Sequence, residues 1–268
     1  MFSPDDMRIF VLLILSLWAF FPVQAQTAAE LNQQSKLRLG EGNYAEALPL
    51  VQKAAEMGSP EAQYNYGVFF QQGVGIEPND SLALYWFLRA AEQGWADAQF
   101  KVSYNYAAGQ GVPQDFAKAF EWTKRCADQQ HAECMMNLIT FYQQGVGTEK
   151  NMKEVLQWAT RLATLKENNS ESEGTMIGSA RYSLALMYLK GEGVEADTAK
   201  SYQWFLLTNE NKINFPLSQQ QQIIGEIKIC ESVLNKRQRK RAQKKAARLI
   251  GRPLSKLHLL YKEEEIDN

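Results

Sequence analysis

Histidine and cysteine, which often bind metals or build catalytic centres, are scarce in this chain of 268 residues. The two histidines, His131 and His258, lie far apart and not at the spacing of metal ligands, so we expect no zinc site and no histidine-based catalysis. No serine is followed three residues later by lysine, and no P-loop is present, which removes two common types of active site. The sequence therefore predicts a protein that is not an enzyme and that holds no metal and no cofactor.

An excess of charge of one sign is also missing. The 29 basic and 30 acidic residues give a formal net charge of −1, so nothing in the overall charge predicts nucleic-acid binding. The contents of glycine (17) and proline (8) are ordinary, and no low-complexity linker divides the chain. An apolar fraction of 45% fits one folded domain.

Long apolar runs are missing apart from one near the N-terminus, residues 9–21. This run is shorter than the ~20 residues that span a bilayer, and its length is typical of a signal peptide. Pro22 ends the run, and Val23 and Ala25 place small residues at positions −3 and −1 of a cut after Ala25. We therefore predict that residues 1–25 are a signal peptide, that the protein is periplasmic or secreted, and that the mature chain has no transmembrane segment. An uncleaved anchor is the alternative.

The charges before this run are unusual for a signal peptide. Asp5 and Asp6 precede Arg8, whereas a signal peptide begins with positive charge. We hypothesise that translation starts at Met7, and a chain that starts there should still be exported.

A repeat of 36 residues fills the middle of the chain. Gly-x-Gly recurs at this interval, and the last interval is 46 residues, so about ten residues are inserted in the fourth copy. A tryptophan follows the glycine pair at the same distance in each copy. The glycine pairs are Gly73/Gly75, Gly109/Gly111, Gly145/Gly147 and Gly191/Gly193.

The spacing within one copy is helical. Ala83, Trp86 and Ala90 lie at i, i+3 and i+7, which is one face of a helix, and Ala98 and Tyr106 lie on one face of a second helix. One apolar stripe per helix cannot be buried within a single pair, so the copies must stack into an all-α solenoid. The residues predicted to pack between helices are Ala83, Trp86, Ala90, Ala98, Tyr106, Trp122, Trp158 and Trp204.

These motifs resemble the Sel1-like repeat family, a relative of the tetratricopeptide repeat. The resemblance rests on Ala83-x-x-Trp86, the run AAEQG at residues 90–94 and Gly109-x-Gly111, and it covers roughly residues 43 to 208. It implies a right-handed α/α solenoid that binds other macromolecules, with the first helix of each unit on the concave surface. The third copy departs from the pattern, because Gln130 stands where the turn between helices has glycine.

The same resemblance bears on the cysteines. Cys126 and Cys134 replace the small residues that stand at positions 90 and 98 one repeat earlier. Secreted, cysteine-rich members of the family have disulfides with this separation, so the resemblance implies a bridge, and export would permit it. Two buried free thiols are the alternative. Cys230 is then left over, either buried or available for an intermolecular bond.

We divide the chain by these patterns. A capping helix at 26–42 precedes a solenoid of four to five units at 43–213, in which the polar insertion near 164–179 is predicted to be an exposed loop. C-terminal capping helices follow at 214–252, the first of them with Ser218 as N-cap, and the tail is 253–268.

The segment 236–248, KRQRKRAQKKAAR, holds eight basic residues and no acidic one. On a helix its alanines face one side and most of its cations the other, which predicts an amphipathic helix with a basic face. This helix either caps the solenoid with solvated charges or docks an anionic partner, which is an acidic protein, lipid headgroups or an envelope polysaccharide. Docking would use Lys240, Arg241, Lys244 and Arg248.

Three residues are candidates for contact with a partner elsewhere. Tyr85 and Arg89 lie beside the packing stripe of their helix, and Trp95 lies outside the repeat positions, where it either binds a partner or packs on the next repeat. We predict an exported, non-enzymatic scaffold that binds a protein or peptide partner on the concave face. An envelope enzyme or cell-wall-binding protein is one alternative, and an adaptor in the lumen of the secretory pathway is another.

Overall fold

The computed structural model describes residues 26–166, 170–211 and 214–260, without the side chains of His258 and Leu259. The predicted signal peptide and the last residues of the tail, 261–268, lie outside these ranges. The described residues form α-helices and one short 3₁₀ helix and contain no strand, which confirms the all-α fold. The α-helices are α1 (Ala28–Gly40), α2 (Tyr44–Glu56), α3 (Pro60–Gln72), α4 (Asp80–Glu92), α5 (Ala96–Ala108), α6 (Phe116–Asp128), α7 (Ala132–Gln144), α8 (Met152–Ala163), α9 (Glu171–Lys190), α10 (Thr198–Glu210), α11 (Leu217–Val233) and α12 (Lys236–Leu249), and the 3₁₀ helix is Leu257–Leu260.

Each helix from α1 to α10 packs against the next one along the chain. The pairs α2–α3, α4–α5, α6–α7 and α8–α9 are the repeat units. At the C-terminal end, α10 contacts both α11 and α12. The first helices carry small residues at the closest contacts, and Ala47, Ala83 and Ala119 have no exposed surface. The repeat therefore stacks through alanine, as the spacing predicts.

The first helix of each of the four units, and α10 after them, begins at an N-cap that recurs with the repeat. In each case the side-chain oxygen accepts a hydrogen bond from a backbone N–H in the first turn. Such caps contribute about 1 kcal/mol each. The capping residues are Asn43, Asn79, Asp115, Asn151 and Asp197.

The two glycines of each Gly-x-Gly pair have different roles. The first ends the second helix of its unit in the left-handed conformation, as at Gly145, where φ is 73°. The second returns to the start of the first helix of the same unit. A Cβ on Gly147 would overlap the carbonyl oxygen of Phe116, the first residue of α6. Each glycine pair therefore brings the end of the second helix of a unit against the start of its first helix.

A buried polar side chain also connects the two helices of a unit. Gln63 and Gln99, near the starts of α3 and α5, donate to the carbonyl oxygens of Ala55 and Ala91 at 3.2 and 3.1 Å. Arg181 in α9 takes the equivalent place, and its Nε donates to the Ala163 carbonyl at 3.0 Å. In the third unit the apolar Met135 replaces the polar residue, beside a disulfide that joins α6 to α7.

The insertion was wrongly predicted to be an exposed loop throughout. Helix α9 begins at Glu171 and has 20 residues, so most of the second half of the insertion is helical. Although the insertion is mainly polar, three of its positions are buried, namely Gly174, Ile177 and Gly178. Phe215, before α11, packs so closely that a Cβ on Gly178 would lie 3.1 Å from its ring. The inserted turns are therefore stabilised by contact with the C-terminal region.

Two helices follow α10 at the C-terminal end, and the predicted N-cap of the first one was wrong. Helix α11 has Pro216 at its N-cap, and Ser218 lies inside the first turn. Helix α12 starts with a capping box between Asn235 and Gln238. Ala242 and Ala246 face inward and are buried. Both helices thus cover the last repeat.

Candidate protein-interaction surface

A row of cations follows the first helices of four consecutive units. Lys53, Arg89, Arg125 and Arg161 occupy the same position of α2, α4, α6 and α8, at intervals of 36 residues. In α10 the equivalent position is Leu207, so the row of cations ends at Arg161. We call these four residues the cation row.

Three members of the cation row stack on the repeat tryptophans. The guanidinium carbon of Arg89 lies 5.1 Å from the centre of the Trp86 ring. The corresponding distance is 4.6 Å in the next unit, between Arg125 and Trp122, and 4.6 Å again in the fourth unit. A cation over an indole face is attracted by the ring quadrupole, so each arginine is held in place on its helix.

The tryptophans are less uniformly buried than predicted. Trp158 and Trp204 are buried, with 5% and 6% of their surface exposed, whereas Trp86 and Trp122 are only half-buried. Trp86, Trp122 and Tyr106 nevertheless pack against the core, although each of them is only partly buried. Alanines make the tightest contacts, and the stacked arginines cover part of the indole surface.

Ion pairing leaves the cation row largely available. Among the described residues, the only ion pair of the row joins Arg161 to Asp128, at 4.0 Å between exposed side chains. A pair of this kind contributes little. The row can therefore accept carboxylates from outside the chain.

The three predicted contact residues differ in their surroundings. Tyr85 is half-exposed and stands edge-on to Trp86, with 5.2 Å between ring centres. Arg89 lies over both rings. The Tyr85 ring is therefore an exposed aromatic surface directly beside the cation row. Trp95 instead precedes α5, packs partly buried against the N-terminal half of the core, and has a buried Nε1 without a hydrogen bond. This environment indicates packing.

The basic face of α12 is a second candidate surface. Lys240, Arg241, Lys244 and Arg248 are all exposed, and none of them forms an ion pair with any described residue. A shallow groove of ≈ 470 Å³ runs along the helix, lined only by basic residues. At the end of α11, just before this helix, Ile229 and Val233 are exposed.

The cysteines and a histidine come together in the third unit. A disulfide joins Cys126 in the last turn of α6 to Cys134 in the first turn of α7, with 5.8 Å between the Cα atoms. His131 precedes α7, and one of its ring nitrogens and both sulfurs lie within 4.8 Å of one another. Sequence reasoning missed this group because it compared the two histidines only with each other. The spacing Cys-x4-His-x2-Cys was the available signal. Cys230 is buried elsewhere, and burial raises the pKa of its thiol.

Helix pairs that recur along the chain, closed by glycine pairs and stacked through alanines, define a helical-repeat solenoid. Five Sel1 repeats match residues 37–59, 60–95, 96–131, 132–166 and 178–210. The matches cover more than half of the chain, and the chain belongs to the Sel1 repeat family. Proteins of this family are generally non-enzymatic scaffolds and typically mediate protein interactions.

A solved structure of a Sel1 repeat protein shows the same fold. The chain is 25% identical to a Sel1 repeat protein from Oxalobacter formigenes, with a TM-score of 0.57 over 81% of this chain and 82% of the other. It is 19% identical to c5321, a protective antigen of uropathogenic Escherichia coli, with a TM-score of 0.43 over 88% of this chain and 56% of that one. No curated protein matches the chain. None of the helices in the described ranges is long and apolar enough to cross a membrane.

Proposed function

We propose that this protein is an exported scaffold that binds an acidic segment of a partner protein along its first helices. The observation that carries the proposal is the cation row, in which three arginines are stacked on tryptophans at the repeat interval. Stacking lowers the entropy that an arginine loses on binding, and its planar group suits carboxylates. In the family these helices line the concave surface, where an extended segment would contact several units at once.

Export is the second part of the proposal. It rests on the apolar run at residues 9–21 and on the small residues before the predicted cut after Ala25. N-terminal sequencing of the protein from an envelope fraction tests it. A chain that begins at Gln26 supports processing, and a chain that retains its apolar run contradicts it.

Photo-crosslinking tests the binding surface. A photoreactive residue replaces Glu121 or Gln157, which occupy the repeat position of Tyr85 and are exposed. We expect both positions to capture the same partner from native envelopes, because they flank the cation row. A photoreactive residue at Tyr104, exposed on the second helix α5, should not capture it.

Charge neutralisation supplies the matched control. Arg89, Arg125 and Arg161 are replaced together by alanine, and the control replaces three exposed lysines outside the row, Lys124, Lys150 and Lys153. Both variants lose the same charge, so only a site at the row distinguishes them. Crosslinking that survives the arginine triple variant, or that falls equally in both, would contradict binding along the row.

The basic face of α12 is proposed as an additional contact with an anionic envelope surface. Ile229 and Val233 are exposed on α11, which precedes this basic helix. They favour lipid headgroups as the anionic surface, because apolar side chains near a basic segment suit a membrane interface. The buried side of α12 is mainly alanine, so we expect surface binding without deep insertion.

A further inference from the structure

His131 is held in an arrangement typical of a metal-ligating histidine. Its Nε2 lies 3.2 Å from Asp97 Oδ1, a carboxylate of the preceding repeat. Its ring also stacks on Phe100, with 5.6 Å between ring centres and 24° between the planes. The ring is thus fixed from two sides by α5, although His131 itself belongs to the turn between α6 and α7.

The hydrogen bond to Asp97 determines which ring nitrogen can bind a metal. In the tautomer that donates Nε2–H to this carboxylate, the lone pair of the ring lies on Nδ1. Nδ1 is buried and forms no hydrogen bond, and Glu133 Oε2 lies 3.3 Å from it. Histidines that bind metals usually donate their other N–H to a carboxylate in this way.

We propose that Cys126, His131 and Cys134 form a zinc site when the disulfide between the two cysteines is reduced. Both sulfurs are fully buried, and with one imidazole nitrogen they lie within 4.8 Å of one another. Two thiolates and one imidazole are a ligand set that zinc favours, and a three-ligand set leaves a fourth tetrahedral position open to solvent or to a partner's side chain.

The site and the disulfide exclude each other. A dithiol reductant gives two electrons and two protons to the S–S bond and is itself oxidised to a disulfide, and this produces the thiols of Cys126 and Cys134. Zn²⁺ then displaces the two thiol protons, which are released to solvent, and the sulfurs bind as thiolates. The turn between α6 and α7 therefore has two closed states, a disulfide under oxidising conditions and a zinc site under reducing ones. This inference does not depend on the proposed partner binding.

Zinc titration of the purified protein tests the site. The protein is reduced with a phosphine, which does not compete through thiols, and zinc is titrated against a chromogenic chelator. We expect about one tightly bound zinc per chain in the reduced protein and none in the oxidised protein. Cobalt replaces zinc in a parallel titration, because its visible spectrum reports both tetrahedral geometry and thiolate ligation.

Variants identify the ligands. His131→Gln should weaken zinc binding strongly, whereas His258→Gln, at the other histidine of the chain, should not. Cys134→Ser should abolish binding and Cys230→Ser should leave it unchanged. Asp97→Asn keeps the ligands and removes only the carboxylate, so we expect a loss of about 10- to 100-fold in affinity. Since His131 makes no side-chain capping bond to α7, its replacement should leave the helical circular dichroism unchanged.

Two results would overturn the proposal. In one, the reduced wild-type protein binds no zinc. In the other, His131→Gln binds zinc as tightly as His258→Gln with the same cobalt spectrum, which would show that the thiols bind alone. A change at His131 together with an unchanged Asp97→Asn variant would leave the ligand assignment intact and remove only the orienting role of Asp97.

Discussion

Gln130 adopts a backbone conformation that the other repeats give to glycine. Its φ is 66°, the only positive value among the described residues other than glycine. The equivalent positions, Gly58 and Gly94, have φ values of 92° and 90°. A left-handed conformation costs a residue with a Cβ about 1–2 kcal/mol. The departure of the third unit from the repeat pattern is therefore a local strain between α6 and α7.

We expect Gln130→Gly to stabilise the protein by about 1 kcal/mol, because glycine removes this strain. Urea unfolding followed by circular dichroism measures the change. Gln129, with a φ of −86°, supplies the control, since Gln129→Gly adds only chain entropy and should be neutral or destabilising. Equal effects of the two substitutions would contradict the argument.

Asn105 is a polar residue at an apolar repeat position. Phe69, Phe141 and Met187 occupy that position in the other units, whereas Asn105 is fully buried and both polar atoms of its side chain lack a hydrogen bond among the described residues. An unsatisfied buried amide costs about 1–3 kcal/mol.

Asn105→Leu should therefore raise the free energy of unfolding by about 1–3 kcal/mol, provided that leucine fills the same space. Thermal and urea unfolding measure it. The matched control is Asn32→Leu, because Asn32 is also buried but accepts a hydrogen bond of 2.9 Å from Asn65. That substitution should not stabilise. A destabilised Asn105→Leu variant would show that the amide has an unrecognised partner.

At the scale of elements, the glycine pairs connect the end of each unit to its beginning. Gly147 has a φ of 67° and no room for a Cβ beside the first residue of α6. We expect Gly147→Ala to destabilise the protein by more than the ~1–2 kcal/mol of backbone strain alone. Gly225 in α11 is the control, because a Cβ added there would have no neighbouring atom within 4 Å. Gly225→Ala should stabilise by about 0.5–1 kcal/mol, and the two urea midpoints must shift in opposite directions.

The end of α10 is joined to the C-terminal segment through one buried carboxylate. Glu210 accepts hydrogen bonds from the Lys256 N–H at 2.9 Å, the Ser255 hydroxyl at 2.7 Å and the Arg252 guanidinium at 2.7 Å. Burial alone would raise the pKa of Glu210, but these hydrogen bonds lower it below the ordinary value. The ionised form is therefore favoured by folding.

A lowered pKa makes this contribution dependent on pH. It is present above the ordinary glutamate pKa of about 4.3 and is lost as the pH falls below that value. We expect Glu210→Gln to cost about 2–3 kcal/mol at pH 7 and to flatten the decline in stability under acid. Glu149→Gln, at an exposed site, should leave the profile unchanged. The test is to measure unfolding midpoints of both variants at several pH values. If the midpoints of the two variants depend on pH in the same way, Glu210 is not the cause of the loss of stability under acid.

At the scale of the whole molecule, the sequence predicts what repeats and little of what occurs once. The period and the helix pairs follow from the glycine pairs and from the tryptophan position, which recur in four copies, and the alanine contacts follow from Ala47, Ala83 and Ala119 in the first three. The helical insertion was missed because its stability comes from Phe215, more than thirty positions away. The cation row recurs at the repeat interval and could have been predicted from the sequence, but only Arg89 was predicted to contact a partner. The group around His131 required the fold, since Asp97 reaches it from the preceding unit.

Charge is also segregated over the whole molecule. The whole chain has a net charge of −1 although residues 236–248 contain eight cations, so the remaining residues together carry an excess of negative charge. Such a distribution turns one end of the solenoid toward an anionic surface and the rest away from it. Each exposed cation contributes about 1 kcal/mol near anionic lipid, so the proposed contact of α12 with such a surface would be reversible.

We therefore expect the protein to bind vesicles that contain anionic lipid and to be released by salt, because exposed charges are screened beyond ~8–10 Å at physiological ionic strength. Replacing Lys240, Arg241, Lys244 and Arg248 with glutamine should abolish sedimentation with the vesicles and preserve the helical circular dichroism. The matched variant neutralises four exposed lysines elsewhere, Lys124, Lys150, Lys153 and Lys166, and should bind as the wild type does. If the α12 variant still binds at low and high salt, α12 acts only as a cap, since its charges would then make no contact with the lipid.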